Sequence, residues 1–240
     1  MICALASQEG TVLKLRQKEG TAMRNIRTML RAAAIAVAML ILMCAAASTM
    51  ADILDDWGTA QAPPKPELKA VTVEPASTAL LIMDMMKTNC GARPRCVATV
   101  PNVKRLHDAA RASGMMLWYS LVGSNNQATP ADVIDPGFAP REGEWERQGG
   151  PDKFLGSHLE EKLKARNIKT VIVCGTSFQG VGIGTGSGLA QRGYKVIVPV
   201  DCLSSEDAYN EQYAAWHLYK GGPAVITGQI TLTRSTMIKF

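Results

Sequence analysis

Val171-Ile172-Val173-Cys174-Gly175-Thr176-Ser177-Phe178-Gln179-Gly180-Val181-Gly182-Ile183-Gly184-Thr185 is the stretch on which the reading of this chain turns. It reads as a buried strand that runs into a turn and then into a helix over Val181–Gln191. Strand-to-helix turns at the carboxyl edge of a parallel sheet are where open α/β folds place their sites. After Cys174 this turn holds no Cys, His, Asp, Glu, Lys or Arg. Glycines alternate at 180, 182, 184, 186 and 188, and each costs a helix roughly 1 kcal/mol against Ala. No choice of them gives G-x-G-x-x-G, and no Lys-Ser/Thr follows, so neither phosphate cradle fits. Glycine lets backbones approach closely, and a helix N-terminus presents unpaired N–H groups. Close packing and a site for a carboxylate or oxyanion both remain open.

On either side, strands alternate with helices. Ala79–Met83 is a continuous apolar run stopped by Asp84, and Val103–Ser113 has helical spacing. Met115–Leu121 is the next strand, with Tyr119 near its end. Gly123–Gly150 has no period, and so long a loop inside a domain is often functional. Then come a helix over Leu159–Ala165, strands over Lys169–Cys174 and Tyr194–Val200, and a helix over Asn210–Leu218. Ala224–Ile226 and Ile230–Leu232 read as short strands. This order predicts an α/β fold with a mostly parallel sheet covered on both faces.

The N-terminal region reads differently. Ala32–Ala47 is an unbroken small or apolar run, preceded by Arg24, Arg27 and Arg31 and followed by Ser48-Thr49-Met50-Ala51. That is the signal-peptide pattern, and the run is short for a span of ~20 residues. Residues 1–51 are therefore expected to be a leader cleaved after Ala51, with Met23 as an alternative start. No stable membrane span is expected afterwards, and the product is exported, periplasmic or secreted. Residues 52–75, with Pro63, Pro64 and Pro66, read as a linker, and 76–240 as the domain.

The leader carries six basic and two acidic residues, so most of the whole-chain charge of +5 belongs to it. The remaining chain, near +1, gives no support for nucleic-acid binding. An oxidising compartment permits disulfides. Cys90 and Cys96 flank the loop-like Gly91-Ala92-Arg93-Pro94-Arg95 and can be bridged or free. Cys174 and Cys202 read as small buried hydrophobes. No Asp-x-His or His-x-His pattern is present, so no metal is expected. Asp84, at the end of a buried strand, is a candidate acid or base, or a simple turn residue. Lys153 follows Gly149-Gly150-Pro151-Asp152 at the exit of the long loop.

From Ala79 to Phe240 this succession resembles the isochorismatase-like hydrolases, the cysteine hydrolase superfamily. The residues that carry the resemblance are Leu81-Ile82-Met83-Asp84, Leu117-Trp118-Tyr119-Ser120, Asp152-Lys153-Phe154, Val171–Thr185 and Gly193–Asp201. It implies a Rossmann-like three-layer α/β/α sandwich, a small-molecule substrate, no cofactor and a homo-oligomer. The family's triad of Asp, Lys and Cys falls on Asp84, Lys153 and Val181, and Thr185 lands on the Thr four residues after the Cys. The unusual peptide bond before the Cys falls on Gly180-Val181. Tyr119, Gln179, Gly180 and Thr185 are expected around the substrate. Val cannot form a covalent intermediate, which leaves three readings. One is a hydrolase of a small amide or enol ether that uses Asp84 without a covalent step. The second is an inactive member binding a small carbonyl or carboxylate compound. The third is a secreted scaffold.

Overall fold

The computed structural model describes residues 23, 24, 27–31, 33–35, 37 and 52–240. The expected cleavage point, most of the apolar run, Cys3 and Cys44 lie outside the described residues. The chain divides into two units, 1–62 and 63–240. In the first, the described residues from 23 to 37 are helical, and Asp52 Oδ1 accepts from Leu54 N at 2.8 Å in a turn. Among the described residues no helix is long and apolar enough to cross a membrane.

The second unit is built on a seven-stranded sheet of β2 (Thr78–Met83), β3 (Met116–Leu121), β4 (Trp145–Arg147), β5 (Thr170–Thr176), β6 (Lys195–Pro199), β7 (Leu203–Ser204) and β8 (Ile230–Thr233). Its order is β4-β3-β2-β5-β6-β8, β7 lies beside β5, and every pairing is parallel. β2 and β3 are buried along their whole length, as apolar runs covered on two faces must be. Leu80, Ile82, Ile172 and Cys174 pack on one face beneath α1 (Pro94–Ala112). Leu81, Met83, Val171 and Val173 pack on the other beneath α2 (Leu159–Ala165), α3 (Ile183–Gln191) and α4 (Ala208–Trp216). The result is the expected three-layer α/β/α sandwich.

The chain runs from β2 outward through β3 to β4, then returns to place β5 on the other side of β2. That reversal is a topological switch point at the carboxyl ends of β2 and β5, the position at which open α/β sheets bind ligands.

Several boundaries differ from the sequence reading. α1 begins at Pro94, not Val103. Proline is well suited to the first helical position, whereas the interior Pro101 reads as a break yet lies inside the helix. Cys96 thus lies in the first turn of α1, bridged to Cys90. The long loop holds the edge strand β4 and 3-10 turns that open at Pro130 and Pro136. Residues 224–227 are a helix, α5, rather than a strand. Pro223 leads into it, and it buries Ile226 while exposing Val225. β1 (Val71–Thr72), inside the expected linker, pairs with β9 (Ile238–Lys239) in a separate two-stranded sheet.

Candidate functional site

Asp84 follows the last residue of β2. Its φ is +59°, a left-handed conformation that Asp tolerates better than most residues. The conformation is held from several sides. Asp84 N donates to Ser120 O at 3.1 Å, and Asp84 O accepts from Met86 N and Asn89 Nδ2. The carboxylate is 4% exposed. Ser120 Oγ donates to Oδ1 at 2.5 Å, and Lys153 Nζ donates to Oδ1 and Oδ2 at 2.9 and 2.8 Å. Lys153 is fully buried, and its third donor reaches Gln148 O at 2.8 Å. All three ammonium hydrogens are therefore used. Burial pushes the Asp84 carboxyl up, against the pull of Lys153, and burial pushes the Lys153 ammonium down, against Asp84.

The glycine-rich helix explains how Lys153 is placed. A Cβ at Gly184 would stand 2.7 Å from Pro151 O, and one at Gly188 would stand 3.0 Å from Asp152 Oδ1. α3 therefore presses its bare backbone against residues 151–154. Thr185, fully buried, completes the contact: its Oγ1 donates to Pro151 O at 2.8 Å and accepts from Lys153 N at 3.1 Å. Thr185 holds the lysine segment.

β5 ends beside β2, with Gly175 opposite Met83. Gly175 has φ +137°, and a Cβ there would lie 2.1 Å from Met83 O, so only glycine fits. The chain then makes a cis peptide at Thr176-Ser177, not at the expected Gly180-Val181. Phe178–Gly182 is a π-helical turn that feeds directly into α3. Val181 is 5% exposed, packed in the core beneath α2–α4. Gln179 accepts from Ser205 Oγ at 2.5 Å. Gly180 leaves room for Ser177, whose Oγ would lie 2.7 Å from a Cβ there.

Tyr119 belongs to the opposite core, under α1. Its pKa is raised by burial, with the Arg111 guanidinium opposing. The structure thus joins Asp84, Lys153 and Thr185 and sets Gln179, Gly180 and Val181 on the neighbouring turn, while Tyr119 lies apart. Ser120 and Gln148 were not singled out from sequence. Ser120 was legible as the residue beside Met83 once β2 and β3 are paired in register. Gln148 follows β4, a strand of three residues too short to announce itself. Next to Gln148 lies a cavity of about 400 Å³ lined by Leu121, Val122, Asn126, Arg147 and Gly156. Arg147 is held there by Ala128 O and by the Trp145 ring. Among the described residues no cluster of His, Cys, Asp and Glu could hold a metal ion.

Comparison with known proteins points one way. The isochorismatase domain model matches residues 78–230. An N-carbamoylsarcosine amidase from an Arthrobacter species is 28% identical over 152 residues, covering 52% of this chain. The match spans only 56% of that relative's length. Among solved structures, a cysteine hydrolase from Pseudomonas syringae pv. phaseolicola 1448A aligns with a TM-score of 0.59 at 21% identity, over 72% of this chain and 95% of that one. An N-carbamoylsarcosine amidase from Thermoplasma acidophilum aligns with a TM-score of 0.55 at 21% identity, over 66% of this chain and 96% of that one.

Proposed function

The chain belongs to the isochorismatase family of hydrolases, and on that premise we propose that it hydrolyses a small amide or enol-ether compound through Asp84, without a covalent enzyme intermediate. The observation that carries this reading is the buried Asp84–Lys153 pair at the switch point of the sheet. A buried charge pair is expensive to keep for stability alone, and carboxyls with raised pKa cluster at functional sites. The register of the resemblance puts Val181 where the nucleophile stands, and its side chain has no heteroatom to attack with.

For an amide, Asp84 takes a proton from water as the water oxygen adds to the carbonyl carbon. The same proton then passes to the leaving nitrogen, and the C–N bond breaks. For an enol ether, Asp84 in its acid form protonates the vinyl carbon; water adds to the resulting oxocarbenium carbon and returns a proton to Asp84, and the hemiketal so formed breaks its C–O ether bond to give a carbonyl compound and an alcohol. In both, the Lys153 ammonium stabilises the carboxylate. The likeness to N-carbamoylsarcosine amidases favours the amide. Gln148, whose backbone carbonyl accepts from Lys153 Nζ, also lines the 400 Å³ cavity together with Arg147, and a guanidinium there suits an anionic group on a compact substrate.

The test is turnover by the full chain of a panel of carbamoyl amides and enol ethers. Asp84→Asn is expected to lower the rate by at least about 100-fold in a chain that still folds but is less stable, because Lys153 loses its counter-charge, so rates are compared well below the variant's unfolding midpoint. An unchanged rate removes Asp84 from the mechanism. The pH profile separates the chemistries. Burial raises the Asp84 pKa, so the group keeps its proton above the ordinary carboxylate range. Amide hydrolysis, which needs the base, rises as pH climbs through that value. Enol-ether hydrolysis, which needs the acid, falls there.

A binding role without turnover is favoured by one observation: the pair is shielded, with Asp84 4% and Lys153 0% exposed. Ligand-induced thermal shifts that need Asp84, with no turnover, would select it. For location, the Cys90–Cys96 bridge supports export. A fractionated product beginning at Asp52 agrees with that reading; a full-length cytosolic product rejects it.

A further inference from the structure

We propose that Cys174 and Cys202 form a second disulfide, wholly buried, when the chain folds under oxidising conditions. Both thiols are free and 0% exposed. They sit in the same core beneath α1. β7 runs parallel to β5 with Leu203 opposite Gly175 and Ser204 opposite Thr176. Cys202, in the bend just before β7, lies beside Cys174: Gly175 N donates to Cys202 O at 2.8 Å, and the two thiols are within hydrogen-bonding reach of each other. Neighbouring strands lie ~4.8 Å apart, inside the Cα separation that a disulfide spans. Burial pushes the Cys202 thiol up, and the adjoining Cys174 thiol adds to the effect. In the folded chain the Cys202 thiol is therefore a poor nucleophile and resists oxidation. The bridge must form before the core closes.

With a small disulfide such as oxidised glutathione, the Cys202 thiolate attacks one sulfur and releases one thiol. The Cys174 thiolate then attacks the Cys202 sulfur of the mixed disulfide and releases the second. The protein pair loses two electrons and two protons, and the oxidant becomes two thiols.

The bridge would bear on the turn after β5. Thr176 Oγ1 donates to Ser204 O at 3.3 Å, and Ser205 Oγ donates to Gln179 Oε1. β7 and the residues after it thus form one wall of the Thr176–Gln179 turn. Linking Cys202 to Cys174 ties that wall to the strand it flanks. This inference does not depend on the catalytic reading.

The test refolds the reduced full chain in a glutathione redox buffer, alkylates it in denaturant and maps the peptides by mass. The expected result is a peptide pair joining Cys174 to Cys202, beside the pair joining Cys90 to Cys96, with neither Cys174 nor Cys202 alkylated. A Cys90→Ser/Cys96→Ser variant, which removes the competing partners on α1 and its approach, should keep the Cys174–Cys202 link. Alkylation of both Cys174 and Cys202 in either protein overturns the proposal, as does their linkage to any other cysteine. Soluble protein recovered from an oxidising compartment gives the same readout if refolding fails. In the Cys90→Ser/Cys96→Ser variant, where no other bridge of the domain contributes, the linked form should also unfold several degrees above the reduced form; an unchanged midpoint would overturn the tie between this bridge and the turn.

Discussion

The carboxyl ends of β2 and β5 lie side by side in the sheet, yet they are built by opposite means. β2 ends in charge. Asp84 is held by Ser120, 36 residues away, and by Lys153, 69 away. β5 ends in shape. Gly175 is there because Met83 leaves no room, and the turn after it packs Phe178 and Val181 into the core. One end is fixed by hydrogen bonds that few side chains can supply. The other is fixed by steric fit: a glycine at 175 and apolar side chains at 178 and 181. The comparison teaches that the acid–lysine half of such a site can be kept by electrostatics while the turn beside it is free to drift in chemistry.

The hardest way to break the comparison is at Lys153. Lys153→Met leaves Asp84 buried without its counter-charge, which should cost about 3–5 kcal/mol in urea unfolding. Replacing both partners, as Lys153→Met/Asp84→Leu, should recover most of that loss, since two apolar side chains need no partners. A single variant as stable as the wild type would mean that the pair is solvated, and the charged end would then be no more demanding than the apolar one.

The turn end can be sharpened by giving it chemistry. Val181 is 5% exposed in the apolar core, and a thiol buried among apolar groups is unreactive. Val181→Cys should be alkylated at neutral pH at least about ten-fold more slowly than Val225→Cys, an exposed thiol on α5. Equal or faster labelling would mean that position 181 opens to small molecules and is not held by packing alone.

The same division explains what could be read in advance. Asp84 and the buried strands announce themselves, because an apolar run stopped by a carboxylate is a local pattern. Lys153 was visible only through resemblance; nothing beside it in sequence shows that its ammonium reaches Asp84. Ser120 needed strand register, and Gln148 needed a three-residue strand. α1 was misjudged at its start because Pro94 favours a helix at that position while Pro101 argues against one seven residues on. Ala224–Ile226 has strand-like composition, but the entry from Pro223 and the burial of Ile226 alone make it a turn of helix. In sequence the glycine run fits an anion site and close packing equally well. The contacts at Gly184 and Gly188 explain it as packing against the segment that carries Lys153.

That explanation makes the smallest and most local prediction, inside one helix. Gly184 and Gly186 are two residues apart in α3, and Ala at either gains up to about 1 kcal/mol of helix propensity. At Gly186 the new Cβ meets only Leu218 methyls at 3.7 and 3.8 Å, an ordinary contact. Gly186→Ala should therefore stabilise the fold by about 0.5–1 kcal/mol in thermal or urea unfolding. At Gly184 the Cβ meets Pro151 O at 2.7 Å and Pro151 C at 2.8 Å, backbone atoms that cannot rotate away. Overpacking of this kind costs about 1–3 kcal/mol, so Gly184→Ala should destabilise or come out near zero after the propensity gain. It should also displace Lys153 through Pro151, so any Asp84-dependent turnover should fall in Gly184→Ala and hold in Gly186→Ala. Equal stabilisation by the two substitutions would mean that α3 does not press on residues 151–154, and the placement of Lys153 would have to rest on Thr185 and Asp84 alone.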